Sequence, residues 1–341
     1  MRRFTIDQIS SKLESALCLE LQKIVKSISA PGKGLLACDE SPSNLEERFQ
    51  EIGINNTEST RRAYREMLLS ADKSQFSQYI SGVILHHEMI HQRTSEDVEF
   101  IEFLRRRNIV AGVKVDRGLV HLFNTEDEKI TLGLDNLQEN CVRYKQEGCH
   151  LAEWKCVFSI SERCPSQLAM IANANVLARF ASICQRTRMV PIVEPEILNN
   201  GEYDIDRALQ VHEEMLSILF RALNEYHVYL EGMVLKLAMV LSGIKNAIKC
   251  TPQIVAEYTL RALRRTVPMA VPAIFFLNGD QTDEEANTVI KIWKNNPENV
   301  DKAQAMFLKR VKLCSEASLG KLRVQDNNSL CELNRFNFLS L

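Results

Sequence analysis

The sequence predicts an α/β fold in which parallel strands, wrapped by helices, close as a barrel. Three observations point there: seven apolar runs of strand length separated by helical patterns, no glycine-rich phosphate loop after the first run, and ionisable residues where several runs end. Strands alternating with helices build parallel βαβ units, and runs rich in Val and Ile suit a sheet covered by helices. An open doubly wound sheet fits those two facts equally well. The absence of G-x-G-x-x-G and G-x-x-x-x-G-K-[ST] counts against its dinucleotide and P-loop versions. Barrel enzymes carry their reactive groups where strands pass into the following loops, and that tips the choice.

Taken in order, Gly34 to Cys38 is the first candidate strand and stops at Asp39-Glu40-Ser41. Ile80 to Leu85 is the second and leads into His87-Glu88-Met89-Ile90-His91. Val110 to Val115 carries Lys114, and Leu151 to Ile160 carries Glu153 and Lys155 on either side of Trp154. Val190 to Val193 runs into Glu194-Pro195-Glu196, Val228 to Val240 holds Lys236, and Val271 to Leu277 gives way to Asn278-Gly279-Asp280. Polar or Gly/Pro punctuation follows each run. Between the fifth and sixth, Val211, Met215, Ile218, Leu219 and Ala222 fall at i, i+4, i+7, i+8 and i+11, one face of a helix turned to a core. After Glu285 a helical stretch passes Trp293, and Asn295-Asn296-Pro297 leads straight into another from Asp301 to about Ser318, so no eighth strand is legible. The expectation is one barrel domain over residues 1–341, with an N-terminal helical arm over 1–29 and a C-terminal tail over 322–341.

Apolar residues at 45% and charged residues at 25% are the ordinary globular mix, so the chain can bury a sizeable core. A net charge of -2 supplies no basic field for a nucleic acid or an acidic membrane, although a small anionic substrate needs only a local cluster of cations. No apolar run is long enough to cross a bilayer, and Met1-Arg2-Arg3-Phe4-Thr5 leads into Asp7 and Gln8 instead of a signal-peptide core. Ten cysteines without C-x-x-C spacing fit a reducing compartment. The cytosol is the expected location.

The chemistry centres on Lys236, a lone cation inside the apolar run from Met233 to Val240, where a charge is costly unless it is neutralised or partnered. A desolvated lysine presents a neutral amine, the nucleophile that makes an imine from a carbonyl, and a second cation such as Lys114 favours that form further. Cleaving a C–C bond beside an imine also needs a carboxylate to move protons, for which Asp39, Glu194 and Glu196 are candidates. Alternation puts Glu194 and Glu196 on one face of their strand.

At these residues the chain resembles class I fructose-bisphosphate aldolase. The likeness is carried by Ala30-Pro31-Gly32-Lys33-Gly34 leading to Asp39-Glu40-Ser41, then Gly112 to Gly118, Asn173-Ala174-Asn175-Val176-Leu177-Ala178-Arg179, Val190 to Ile197 and Tyr229-Leu230-Glu231-Gly232. It implies a TIM (β/α)₈ barrel, usually a homotetramer, that cleaves fructose 1,6-bisphosphate into dihydroxyacetone phosphate and glyceraldehyde 3-phosphate without a metal or other cofactor. By the same resemblance Lys236 matches the Schiff-base lysine, Glu194 the general acid/base and Asp39 the carboxylate that assists cleavage. Lys114, Ser41, Asn44, Arg48, Lys155, Glu196, Asn278 and Gly279 are the matching candidates for substrate contact. The implied partners are a phosphorylated sugar and further copies of the chain, not a nucleic acid or a membrane.

Several positions depart from the family. Where it has Lys-Trp-Arg-Cys this chain reads Glu153-Trp154-Lys155-Cys156, so a catalytic cation has become an anion on the face that should meet substrate. A carboxylate there favours the charged form of Lys236 and weakens the field that holds phosphates. Asn278-Gly279-Asp280 replaces a Ser-Gly-Gly phosphate turn, Pro42-Ser43-Asn44 replaces Thr-Gly-Ser, and Leu237-Ala238 replaces Pro-Asn. The eighth strand and its phosphate-gripping arginine are not legible, and Leu341 stands where the family ends in tyrosine. An aldolase of reduced activity is therefore expected, the alternative being a catalytically silent relative that acts through binding or assembly. His87-Glu88-Met89-Ile90-His91 also fits H-E-x-x-H, so a zinc metallopeptidase is a remote third reading, set against the absence of an H-x-x-G-x-x-H extension.

Overall fold

The computed structural model describes residues 14–277 and 283–321, with the backbone alone for 283–287. Along the chain run α1 (Ser15–Ile28), β1 (Gly34–Cys38), α2 (Pro42–Gln50), α3 (Glu58–Leu69), α4 (Lys73–Tyr79), β2 (Ile80–Leu85), α5 (Phe100–Arg105) and β3 (Val110–Lys114). A short hairpin of β4 (Leu119–His121) and β5 (Lys129–Thr131) follows. Then come α6 (Leu137–Glu147), β6 (Leu151–Phe158), α7 (Gln167–Arg186), β7 (Val190–Ile197), α8 (Ile205–Glu225), β8 (Val234–Leu237), α9 (Pro252–Thr266), β9 (Ile274–Phe276), α10 (Asp283–Trp293) and α11 (Val300–Ser318).

Apart from the hairpin, the strands form one sheet in the order β1-β2-β3-β6-β7-β8-β9, which follows the chain without reversal. A doubly wound sheet reverses direction at a switch point, so the sequential order is that of the barrel class. Among the described residues no strand follows β9, and α10 and α11 occupy the stretch in which an eighth would be sought. The described residues form two compact units that interleave along the sequence, one drawn from within Met1–Ser27, Val115–Lys145 and Ala152–Phe276, the other from within Ile28–Lys114, Gln146–Leu151 and Leu277–Leu341.

In the first unit, β7 pairs in parallel with β8 and β8 with β9. Helix α8 buries Val211, Met215, Leu219 and Ala222 as its spacing predicts, with Leu216 and Phe220 widening the stripe and Ile218 half-buried at its edge. Each fully buried Val, Leu, Met or Phe of this stripe stabilises the fold by about 1.5–3 kcal/mol. Trp154 on β6 stacks at a tilt on Phe180 of α7, ring centroids 5.4 Å apart. Helix α7 starts where the Ser166 hydroxyl accepts the Ala169 N–H, and buried Glu128 accepts the Ser166 N–H.

In the second unit, β1, β2 and β3 pair in parallel. Gly112 on β3 lets Leu151 pack against the strand, since a Cβ there would come within 2.8 Å of Leu151 Cβ. Phe49, Tyr64 and Trp293 form an aromatic cluster with centroids 5.4 to 6.4 Å apart.

β1 and β2 have the bounds read from the sequence. The run from Val228 to Val240 yields only the four residues of β8, preceded by a 3₁₀ turn at Leu230–Gly232 beside which the Gln185 side chain donates to the Tyr229 and Gly232 carbonyls. An apolar run is buried in either conformation, so periodicity alone does not separate them. β7 continues past Val193 to Ile197 because Glu194 and Glu196 find charged partners within the unit.

Candidate active site

Two groups of ionisable side chains gather at strand ends, one in each unit. In the first unit, Lys236 lies in β8, all four residues of which are buried. Its Nζ stands 3.1 Å from Glu153 Oε2 on β6 and 3.2 Å from Glu194 Oε2 on β7. Both carboxylates are 2% exposed or less. Two residues along each strand, Lys155 Nζ meets Glu196 Oε2 at 2.8 Å. Period-two alternation thus sets the contacts of β6, Glu153 and Lys155, beside those of β7, Glu194 and Glu196. The strand carrying Glu153 is tied in by its main chain, whose carbonyl accepts the Val115 N–H at 3.0 Å. The N–H of Lys155 donates to Asp116 Oδ2.

Chemically this is a buried amine between two carboxylates. Removing three charges from water is costly, and only close pairing offsets it. The pairing favours the ammonium, whereas attack on a carbonyl needs the free amine. A carboxylate 3.2 Å from the nitrogen is also within reach to take and return its protons.

In the second unit, Asp39 follows β1 with its Oδ2 3.6 Å from Lys114 Nζ at the end of β3. Ser41 is the N-cap of α2, its hydroxyl accepting the Asn44 N–H at 3.2 Å and sharing a hydrogen bond with Ser43. Arg48, in the last turn of α2, pairs with Glu40 at 3.4 Å. Desolvation pushes the Glu40 carboxyl up to about 7 although Arg48 draws it down. Asn278, Gly279 and Asp280, and the tail that ends at Leu341, lie outside the described residues.

The zinc-peptidase reading is overturned by the local geometry. His87–Ile90 is a 3₁₀ turn, not the α-helix on which residues i and i+4 share a face. Glu88, the would-be base, is gripped by Arg61 and Arg65 instead. Desolvation raises its carboxyl, but those two guanidiniums outweigh it and hold it down at about 2. His91 is exposed.

Arg65 was not among the residues singled out from the sequence, and Glu88 was weighed only within the H-E-x-x-H pattern. The signal for Arg65 lay in α3, where Arg61, Arg65 and Leu68 recur at i, i+4 and i+7 and so put two cations on the stripe that also buries Leu68. Arg65 is fully buried there.

A family profile described as fructose-bisphosphate aldolase class-I matches residues 20–290. The chain is 44% identical to a fructose-bisphosphate aldolase of Drosophila melanogaster over 329 residues, 89% of this chain and 91% of the relative. It is 43% identical to fructose-bisphosphate aldolase C of Homo sapiens, over 89% of this chain and 90% of the relative. A solved structure of fructose-bisphosphate aldolase from Plasmodium falciparum, in complex with TRAP and a small-molecule inhibitor, is similar with a TM-score of 0.88 at 37% identity. It covers 92% of this chain and 98% of the solved one.

Proposed function

The chain belongs to the class-I fructose-bisphosphate aldolase family, and from that membership we propose that Lys236 is its Schiff-base amine, that Glu194 moves the protons, and that Glu153 slows the cycle. The activity is that of the family: lyase cleavage of fructose 1,6-bisphosphate to dihydroxyacetone phosphate and glyceraldehyde 3-phosphate. The carrying observation is the buried amine of Lys236 with carboxylate oxygens at 3.1 and 3.2 Å.

Imine formation begins when the Lys236 amine attacks the substrate ketone and Glu194 donates a proton to the departing hydroxide of the carbinolamine. The protonated imine then withdraws the electron pair of the adjacent C–C bond, while a carboxylate takes the hydroxyl proton of the carbon that leaves as an aldehyde. Asp39 fits that second task by resemblance. The remaining enamine regains a proton, and water hydrolyses the imine. Because the imine is itself the electron sink, these steps need no metal. Lys114, Ser41, Asn44, Arg48, Lys155, Glu196, Asn278 and Gly279 are proposed to contact the phosphorylated sugar. The Glu153 carboxylate adds a second anion beside the amine, which favours the unreactive ammonium, and this supports reduced activity.

Self-association is proposed as well. The β4–β5 hairpin exposes Leu119, Val120, Phe123 and Leu132, an apolar patch of the kind that marks protein contacts; a tetramer is the family expectation. A cytosolic location is the family expectation, and among the described residues no helix is long and apolar enough to cross a membrane.

The test is borohydride reduction in the presence of dihydroxyacetone phosphate, followed by peptide mass mapping. An adduct on Lys236 supports the reading. Folded protein that cleaves the bisphosphate with an adduct elsewhere, or with none, overturns it. Folded protein that neither cleaves nor forms an adduct supports the silent, assembly-only relative.

A further inference from the structure

Arg65 is fully buried on α3, carries a permanent charge and takes no part in the chemistry described above. One Nη donates to the Glu40 main-chain carbonyl at 2.9 Å and the other to Glu88 Oε2 at 2.7 Å. Glu88 is gripped from its other side by Arg61, whose Nη1 also reaches Asn56. Among the described residues the Nε of Arg65 has no hydrogen-bond partner. A buried guanidinium with one donor unmet is costly, and well-packed apolar side chains often replace buried ion pairs without loss of stability. Stability alone is therefore a weak reason for an arginine here. What it supplies is a fixed geometry between two strand ends.

The geometry concerns Asp39. Just before it, the Cys38 carbonyl accepts the His86 N–H at 3.3 Å, continuing the β1–β2 ladder. Just after it, the Arg65 fork takes the Glu40 carbonyl and locks it to Glu88, which sits in the turn after β2. Asp39 is thus pinned on both sides, and its carboxylate is left to face Lys114.

We infer that Arg65 is a positioning residue for cleavage, fixing Asp39 by clamping the Glu40 peptide to Glu88. The inference rests on the role proposed for Asp39 above. It also gives the Glu of the H-E-x-x-H pattern a task, as anchor of the clamp.

The experiment compares Arg65→Met, Arg65→Lys and Asp39→Asn in the full chain by bisphosphate cleavage and by borohydride trapping on Lys236 with dihydroxyacetone phosphate. Arg65→Met should lower kcat about 10- to 100-fold, the loss that an ångström-scale misplacement brings. Its KM should stay within about threefold of wild type, with undiminished trapping, because imine formation does not need Asp39. Arg65→Lys, which keeps the charge and one hydrogen bond, should recover part of the loss. A pH–rate profile adds a readout that mere loosening does not move. Glu40 faces Asp39, Arg48, Arg65, Tyr64 and Cys38, so removing the Arg65 charge shifts any limb set by these carboxylates to higher pH. If Arg65→Met does not fold, Arg65→Lys and Glu88→Gln carry the comparison, each with a smaller loss of kcat. Unchanged kcat in the folded Arg65 variants, with Asp39→Asn impaired, overturns the inference alone. Unchanged kcat in Asp39→Asn overturns the reading of Asp39 and the inference with it.

Discussion

Glu153 and Glu194 stand almost equally far from the Lys236 nitrogen, yet they have opposite consequences for the proposed chemistry. In that proposal Glu194 carries the proton, whereas Glu153 only adds to the attraction that holds the ammonium. Glu153→Gln keeps the shape and removes the charge, so kcat/KM for bisphosphate cleavage should rise at least about tenfold at neutral pH. An unchanged or lower value in steady-state assays would show that Glu153 is not what limits the cycle. A second residue bears on stability. His212 is buried on α8, its Nδ1–H donating to the Ala208 carbonyl at 2.7 Å, and desolvation lowers the imidazole to about 4. The unfolded chain binds that proton near pH 6.5 and the folded chain does not, so stability is whole above about 6.5 and falls as pH drops toward 4. The loss from this group is at most about 3 kcal/mol. Denaturant titrations should show a shallower acid limb for His212→Asn, whose amide can keep the Ala208 hydrogen bond. Lys236 and Glu194 were legible because charge in or beside an apolar run is conspicuous. Glu40 was not weighed as a titrating group, since its desolvation depends on helices α2 and α3 folding over the end of β1.

At the scale of elements, helix stripes were readable where one face is buried, as in α8, and strand runs where burial is continuous, as along the full length of β1 and β2. The β4–β5 hairpin was missed because each strand has three residues and those of β4 are exposed, leaving no apolar alternation to read. Caps were equally silent until partners became visible. Ser166 opens α7 through its own hydroxyl and is itself held by Glu128 from before β5. Ser166→Ala should cost about 0.5–2 kcal/mol in urea unfolding, the range for a lost N-cap. A cost below about 0.3 kcal/mol would mean that water serves the helix end equally well.

For the molecule as a whole, the barrel order of the strands was foreseeable only once ionisable strand ends were added to the alternation, which by itself also fits an open sheet, and the helices that follow β9 among the described residues were foreseeable from the helical pattern after Glu285. Two compact units drawn from interleaved stretches were not, because chain separation says little about which loops pack together. Assembly belongs to this scale too. If the exposed hairpin is the contact between copies, Phe123→Asp should shift sedimentation at micromolar concentration toward smaller species without lowering the melting temperature of the dissociated chain. An unchanged distribution would place the contact elsewhere.

The three residues of β9 also bear on how readily the proposed site opens. Lys236 is matched in register to Phe275, and its neighbours Leu235 and Leu237 to Ile274 and Phe276, whereas β7 matches β8 only at Val234 and Leu235. Among the described residues β9 ends the sheet order. Short edge segments open with the smallest free energies in a native protein. Amide deuterium uptake at Ile274–Phe276 should therefore outpace that of β7, and each such opening separates Lys236 from Phe275, its registered partner among the described residues. The lifetime of that three-residue ladder becomes the clock on which the proposed nucleophile is held in aim.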